Sequence, residues 1–256
     1  MTWVLDCDGV VWLADTPIPG AAEAVRRLRD GGERVVFITN NSYPVRADHL
    51  KKLERMGMAT EDRDLITSAG AAATLVKRGE RTLVLGGPGL LEALAAVGAE
   101  AMEPGAVQGE GAFAVVVVGF DLKFDFTRLS AATTALRGGA RLVASNNDAT
   151  FPTPSGLLPG AGSFVAAVSR AGGVDPIVAG KPFPPLVDLV RRSVGAVDIV
   201  VGDRPSTDGE LAERLGARFA LVLTGVTPRG HGPVEPTPAL EADDLASLVS
   251  EVLRVR

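Results

Sequence analysis

The stretch Trp3-Val4-Leu5-Asp6-Cys7-Asp8-Gly9-Val10 sets three apolar residues directly before two aspartates that flank a cysteine. An apolar run ending in carboxylates reads as a buried strand whose C-terminal end carries chemistry, because ligands of open α/β sheets bind outside the carboxyl ends of strands. Residues i and i+2 of an extended segment point the same way, so Asp6 and Asp8 can face one site. Gly9 allows a sharp turn just beyond them. Two adjacent carboxylates repel, and a bound cation or a raised pKa relieves the repulsion. A hard divalent ion such as Mg²⁺ suits an all-oxygen site. An isolated Asp-x-Asp also occurs in turns and helix caps, so the pair gains its weight from the rest of the chain.

Outward from this strand the chain alternates. Helices are predicted over Ala21–Asp30 and Arg46–Met56, stopped by Gly31-Gly32 and Gly57, with the strand Arg34–Thr39 between them. Leu65-Ile66 is a short strand, and Ser68 caps a helix running to about Lys77. A second series holds the strands Thr82–Leu85, Ala114–Val118 and Arg141–Ala144 and the helices Leu90–Val97, Thr127–Leu136 and Ser163–Arg170. The Gly- and Pro-rich stretch Ser155–Ser163 reads as loop. A third series holds Ile177-Val178, a helix near Pro185–Ser193, the strand Asp198–Val201, a helix near Asp208–Leu215, the strand Arg218–Leu223 and a closing helix Leu240–Val255. This alternation predicts an α/β fold with a parallel sheet covered on both faces.

Three more apolar runs end in polar residues: Val35–Ile38 before Thr39-Asn40-Asn41-Ser42, Ile199–Val201 before Gly202-Asp203 and on to Asp208, and Ile177-Val178 before Gly180-Lys181-Pro182. Each alone is equally a turn, a cap or a solvated loop. Together, all lying just past apolar runs, they are expected to project to one edge of a parallel sheet. Carboxylates, a hard cation, a hydroxyl and a lysine on one edge make a site for a phosphate group. The P-loop pattern is absent, and Gly160-Ala161-Gly162 lacks the third glycine of a dinucleotide fingerprint.

Composition narrows the field. With 256 residues, one large or two smaller domains are expected. A net charge of −5 without a long basic run argues against nucleic acid or an anionic membrane as partner. One cysteine and two histidines exclude an intramolecular disulfide and Cys/His zinc sites. Cys7 is expected to be a small buried residue, since an electronegative site disfavours a thiolate. With no transmembrane-length segment and no leader pattern at the N-terminus, a cytoplasmic protein is expected.

These residues resemble the haloacid dehalogenase superfamily. Asp6-Cys7-Asp8-Gly9-Val10-Val11-Trp12 looks like its first motif, Thr39 its second, Lys181 its third, and Gly202-Asp203 to Asp208 its fourth. The strings Thr39–Ser42, Pro159–Ser163, Gly180–Pro182 and Gly202–Arg204 are similar to the branch with a large α/β cap (class IIA), which holds p-nitrophenyl, phosphoglycolate, glycerol-3-phosphate and nucleotide phosphatases. The resemblance implies a Rossmann-like parallel-sheet core formed by residues 1–77 and 174–256, with an inserted α/β cap over 78–173. It implies a Mg²⁺-dependent phosphomonoesterase acting on small phosphorylated metabolites. In that reading Asp6 is the nucleophile and Asp8 the general acid and base. Mg²⁺ is held by the Asp6 carboxylate, the Asp8 carbonyl and Asp203. Thr39, Asn40 and Asn41 grip the phosphoryl oxygens, Lys181 offsets charge, and Asp208 orients Lys181 or the metal's waters. Asp8 and Asp203 argue against dehalogenation.

In the cap, Phe151 is either an apolar ceiling over the substrate or part of the cap core. Asp148 is read as structural, bracing the Ser155–Ser163 loop. A homodimer is a family expectation. A phosphotransferase or phosphomutase with the same aspartyl-phosphate, and a non-catalytic phospho-ligand binding protein, are the alternatives. The second is disfavoured because Asp6, Asp8, Asp203 and Lys181 are all present.

Overall fold

Trp3, Val4 and Leu5 are fully buried because their strand, Thr2–Asp6, lies inside a six-stranded sheet. The computed structural model describes residues 1–105, 112–153 and 156–254. The strand order is Leu240–Ala242, Arg218–Val222, Ile199–Gly202, Thr2–Asp6, Arg34–Thr39, Leu65–Thr67, and all its ladders are parallel. Alternate residues of each strand enter different cores. Trp3, Leu5, Val35, Phe37, Ile199 and Val201 pack on one face, with the helices Ala21–Asp30 and Leu245–Arg254. Val4, Val36, Ile38 and Val200 pack on the other. Both faces being covered, the strands read as unbroken apolar runs. The helix Ala21–Asp30 buries Ala21, Ala24, Val25 and Leu28, one stripe at helical spacing.

The chain starts in the middle of this sheet, builds outward to Leu65–Thr67, and later resumes on the other side at Ile199–Gly202. That reversal makes a switch point beside Thr2–Asp6, where open α/β sheets leave a crevice.

Between the two halves a second parallel sheet forms, in the order Ile177–Val178, Arg141–Ala144, Val115–Val118, Arg81–Leu85, Glu100–Met102. One of its faces joins the core of the first sheet through the helices Ser68–Ala73 and Pro88–Ala96, with Ala72, Leu90, Leu94, Val115 and Val117 in one cluster. The other face packs under the helices Phe126–Arg137 and Ala161–Gly172.

Four expectations are corrected. Ile177–Val178 pairs with Arg141–Ala144, so Lys181 reaches the site from the edge of the second sheet and not the first. Ser155 lies outside the described residues, but the rest of the stretch read as loop is not loop. Gly156–Pro159 pairs antiparallel with Thr150–Thr153, and the next helix begins at Ala161. Proline is tolerated there because this two-stranded ribbon has free edges, where a missing N–H costs nothing. The helix Ser68–Ala73 is capped by Thr67, whose hydroxyl accepts the Gly70 N–H, while Ser68 Oγ donates to the Asn40 carbonyl at 2.7 Å. The closing helix is Leu245–Arg254, preceded by the edge strand Leu240–Ala242; Val255 lies outside the described residues.

Candidate active site

Strand ends deliver most of the polar groups. Asp6 closes Thr2–Asp6, Thr39 closes Arg34–Thr39, and Asp203 follows Ile199–Gly202. One cavity is lined by Asp6, Asp8, Thr39, Asn40, Asn41, Lys181 and Asp203 of the sequence reading. Phe151 lines it as well, and its ring stands edge-on to Phe120 with centroids 5.3 Å apart. Asp208 sits behind the cavity wall, fully buried.

At the centre Lys181 Nζ lies 2.7 Å from Asp6 Oδ1 and 2.7 Å from Asp208 Oδ1. Asp208 Oδ2 accepts the Arg204 N–H at 3.1 Å. Asp203 Oδ2 accepts the Val226 N–H, and the Asp203 carbonyl accepts the Thr227 hydroxyl. Glycines make this packing possible. A Cβ on Gly9 would stand 2.5 Å from Asp203 Oδ2, and one on Gly225 would stand 1.9 Å from it. Gly9 also has φ 83°, a left-handed turn that brings the chain back under Asp8.

Burial pushes the Asp6 carboxyl well up; Lys181 pulls it back, and Asp208 and Asp203 push it further. Burial, then Asp208, raises Asp203 to about 7. Burial opposes charge on Lys181, yet Asp208 and Asp6 outweigh it and hold the ammonium above the ordinary lysine range. One ammonium among these carboxylates leaves negative charge uncompensated. Oxygens of Asp6, Asp203 and Asp208 lie within 4.8 Å of one another, an all-oxygen set that fits a hard divalent cation. Both Asp208 oxygens are already bonded, to Lys181 and to the Arg204 N–H, which leaves Asp6 and Asp203 the more available donors. Burial and the two aspartates raise the Cys7 thiol, so it is a packed, unreactive side chain.

The asparagine pair divides its labour. Asn40 Oδ1 accepts the Lys181 N–H at 2.8 Å, and its Nδ2 donates to the Lys181 carbonyl (3.3 Å) and to Asp148 Oδ2 (3.0 Å). Its side chain is thus committed to the frame that places Lys181, in contrast to the phosphate contact expected from the sequence. Asn41 is exposed at the cavity, and its N–H donates to Thr39 Oγ1 at 3.0 Å.

Sequence reasoning gave no individual role to several lining residues, among them Phe120, Val226, Asn146 and Arg204. Phe120 and Val226 follow the strands Val115–Val118 and Arg218–Val222, so the strand-end rule that found Asp6 would have found them. Asn146 donates to the Asn40 carbonyl at 2.7 Å. Arg204 donates to the Thr150 carbonyl at 3.0 Å and lies 3.8 Å from Asp148 Oδ1. The Asp148 side chain therefore braces Asn40 and Arg204, while its carbonyl accepts the Gly162 N–H at 2.9 Å, within the stretch it was expected to brace.

Residues 3–100 match the model of the haloacid dehalogenase-like hydrolases, and residues 178–248 match a second model of HAD-like hydrolases. The chain is 30% identical to phosphoglycolate phosphatase 2 of Arabidopsis thaliana over 99% of its own length and 92% of that protein. The chain belongs to the haloacid dehalogenase superfamily. Within it the chain falls among the phosphatases. It is 38% identical to D-glycerol 3-phosphate phosphatase of Mycobacterium tuberculosis over 87% of its length, and spans 63% of that protein. The crystal structure of a glycerol phosphate phosphatase from the same organism in complex with magnesium superposes with a TM-score of 0.84 at 36% identity, covering 96% of this chain and 76% of that one. Mg²⁺ is the cofactor that the oxygen donors described above suit.

Proposed function

We propose that this phosphatase hydrolyses small phosphomonoesters through an aspartyl-phosphate on Asp6. The supporting observation is that Asp6 and Asp8 line one cavity with Lys181 Nζ 2.7 Å from Asp6 Oδ1. An Asp6 oxygen attacks phosphorus, the bond from phosphorus to the alcohol oxygen breaks, and Asp8 gives that oxygen its proton. Asp8 then takes a proton from the water that attacks the phosphoryl group, and phosphate leaves with Asp6 regenerated. Burial raises the Asp8 carboxyl, with Lys52 and the Trp12 hydrogen bond pulling back, which suits a group that must carry a proton. Lys181 offsets charge on the phosphoryl oxygens, and Thr39 Oγ1 and Asn41 are placed to bond them. Asp6, Asp203 and the Asp8 carbonyl would hold Mg²⁺, which when bound neutralises phosphoryl charge.

Residues 1–77 and 174–256 act as the catalytic core and 78–173 as its cap in this proposal, with Ile177–Val178 pairing to the second sheet. The alcohol faces Phe120, Phe151, Pro152 and Ala161. Both cations lining the cavity are engaged, Lys181 by two aspartates and Arg204 by the Thr150 carbonyl and Asp148. An uncharged alcohol suits this lining better than an anionic one. Glycerol phosphate, the substrate in the mycobacterial relative's name, fits better than phosphoglycolate, whose carboxylate finds no spare cation among the described lining residues. Two further parts are carried by the family resemblance: a homodimer, for which exposed Leu122 and Phe126 offer apolar surface, and a cytoplasmic protein, in keeping with described helices too short or polar to cross a membrane.

The test is phosphate release from a panel of phosphomonoesters with Mg²⁺ and with EDTA, for the wild type and Asp6→Asn. Release that needs Mg²⁺ and disappears in Asp6→Asn supports the proposal. Release indifferent to both sinks it.

A further inference from the structure

The chain has two tryptophans, in unlike surroundings. The buried indole N–H of Trp3 has no acceptor among the described residues. That of Trp12 donates to Asp8 Oδ1 at 2.9 Å. Trp12 is 1% exposed, and a tight turn brings it back beneath Asp8. The Gly9 N–H reaches the Trp12 carbonyl at 2.7 Å, and the Val11 and Trp12 N–H groups reach the Cys7 carbonyl at 3.0 and 3.2 Å. Lys52 Nζ stands over the indole, 4.3 Å from the ring centroid. It is fixed there by the Ala14 carbonyl at 2.6 Å and by Asp15 at 3.4 Å. An ammonium over an indole is attracted by the ring's negative face and draws electron density from it, which strengthens the N–H as a donor.

Asp8 thus has one oxygen pinned. Its Oδ2 has no hydrogen bond within the described residues and is not among the occluded unpartnered atoms, so it is left to the cavity that Asp8 lines. A carboxyl group whose one oxygen accepts an N–H keeps its proton on the other.

We propose that Trp12 is the positioning residue of the general acid: it holds Asp8 Oδ1 so that Oδ2 meets the oxygen of the leaving alcohol, and Lys52 holds the indole. This rests on the reading of Asp8 as that acid. Trp12 touches no substrate and acts through Asp8 alone. The Trp12 to Asp8 bond spans four residues of one turn, so the same short segment carries the nucleophile, the acid and the group that aims the acid.

The readout is leaving-group dependence, which a merely structural role would not move. An alkyl phosphate needs a proton on its departing oxygen, whereas p-nitrophenolate leaves without one. The wild type, Asp8→Asn, Trp12→Phe and Lys52→Met are assayed with Mg²⁺ on glycerol phosphate and on p-nitrophenyl phosphate. Asp8→Asn is expected to lose roughly 100-fold or more in kcat on the alkyl ester, and far less on the aryl ester. Trp12→Phe is expected to lose about tenfold on the alkyl ester and no more than about threefold on the aryl ester, with KM little moved. Lys52→Met is expected to shift the same ratio in the same direction by a smaller factor.

A Trp12→Phe loss equal on both esters, beside a selective loss in Asp8→Asn, overturns the proposal and leaves the acid intact. An equal loss in Asp8→Asn itself overturns the acid and the proposal with it. Should Trp12→Phe fail to fold, the two indole N–H resonances of the ¹⁵N-labelled protein decide. In Asp8→Asn the Trp12 signal is expected to move while the Trp3 signal stays, and an unmoved Trp12 signal overturns the proposal.

Discussion

Lys181 and Asp208 form a buried ion pair 2.7 Å long, and the Asp208 side chain has no solvent exposure at all. Gly202 makes room for it, since a Cβ there would stand 2.1 Å from the Asp208 side chain. Asp208 thus anchors the ammonium while Asp6, the other partner, is left to do chemistry. Asp208→Asn keeps the shape and removes the charge. It is expected to lower kcat by about tenfold or more through a misplaced Lys181. It should also destabilise the fold by about 1–3 kcal/mol, because a buried charge loses its partner. Steady-state kinetics and thermal melts check both.

The close approach of Gly225 to Asp203 gives a second prediction. Gly225→Ala would put a methyl 1.9 Å from Asp203 Oδ2, so the carboxylate must move. Mg²⁺ affinity by titration calorimetry is expected to fall about 10- to 100-fold, the usual cost of disturbing a ligand's support. Gly232→Ala, where a Cβ meets nothing within 4 Å, serves as the control and should bind Mg²⁺ like the wild type.

His49 supplies a pH signature of stability. Burial lowers it from the ordinary 6.5 to about 4, and its Nε2 has no partner among the described residues. Between those values the unfolded chain takes up a proton that the folded chain refuses. Stability is therefore lost as pH falls through 6.5, and the loss is complete near pH 4. Its full size is about 3 kcal/mol. In the metal-free protein the raised Asp203 works in the opposite sense, so the comparison belongs at saturating Mg²⁺. Urea melts of the wild type and His49→Gln across this window should differ in slope, the wild type losing stability toward pH 4 and the variant showing the flatter profile.

The engaged cations predict substrate choice. kcat/KM for glycerol phosphate should exceed that for phosphoglycolate by at least about tenfold, roughly 1.4 kcal/mol of transition-state contact. Phe151→Lys places a cation beside the alcohol and should narrow that ratio. Parallel kinetics on the two esters decide it.

The strands of the first sheet were legible because both faces are covered, so Trp3–Leu5, Val35–Ile38 and Ile199–Val201 appear as unbroken apolar runs. The same rule pointed to Asp6, Thr39 and Asp203, since a parallel strand delivers its next residue to one edge. It misplaced Lys181, because the two residues Ile177–Val178 are too few to declare which sheet they join. The antiparallel pair Thr150–Thr153 and Gly156–Pro159 was hidden by its proline and glycine, which signal a turn unless the partner strand is known. Pairings such as Arg204 to the Thr150 carbonyl, 54 residues apart, and Asn40 to Asp148, 108 apart, leave no periodic trace in a sequence. They exist only once two sheets meet.

The most direct test of the account is the covalent state of Asp6 during turnover. A substrate of good leaving group is mixed with enzyme and Mg²⁺, the reaction is quenched in acid within milliseconds, and the protein is mapped by mass spectrometry. The account predicts one phosphoryl group, located on Asp6, that is absent with EDTA and in Asp6→Asn. Turnover without any adduct, or an adduct on another residue that persists in Asp6→Asn, would contradict it.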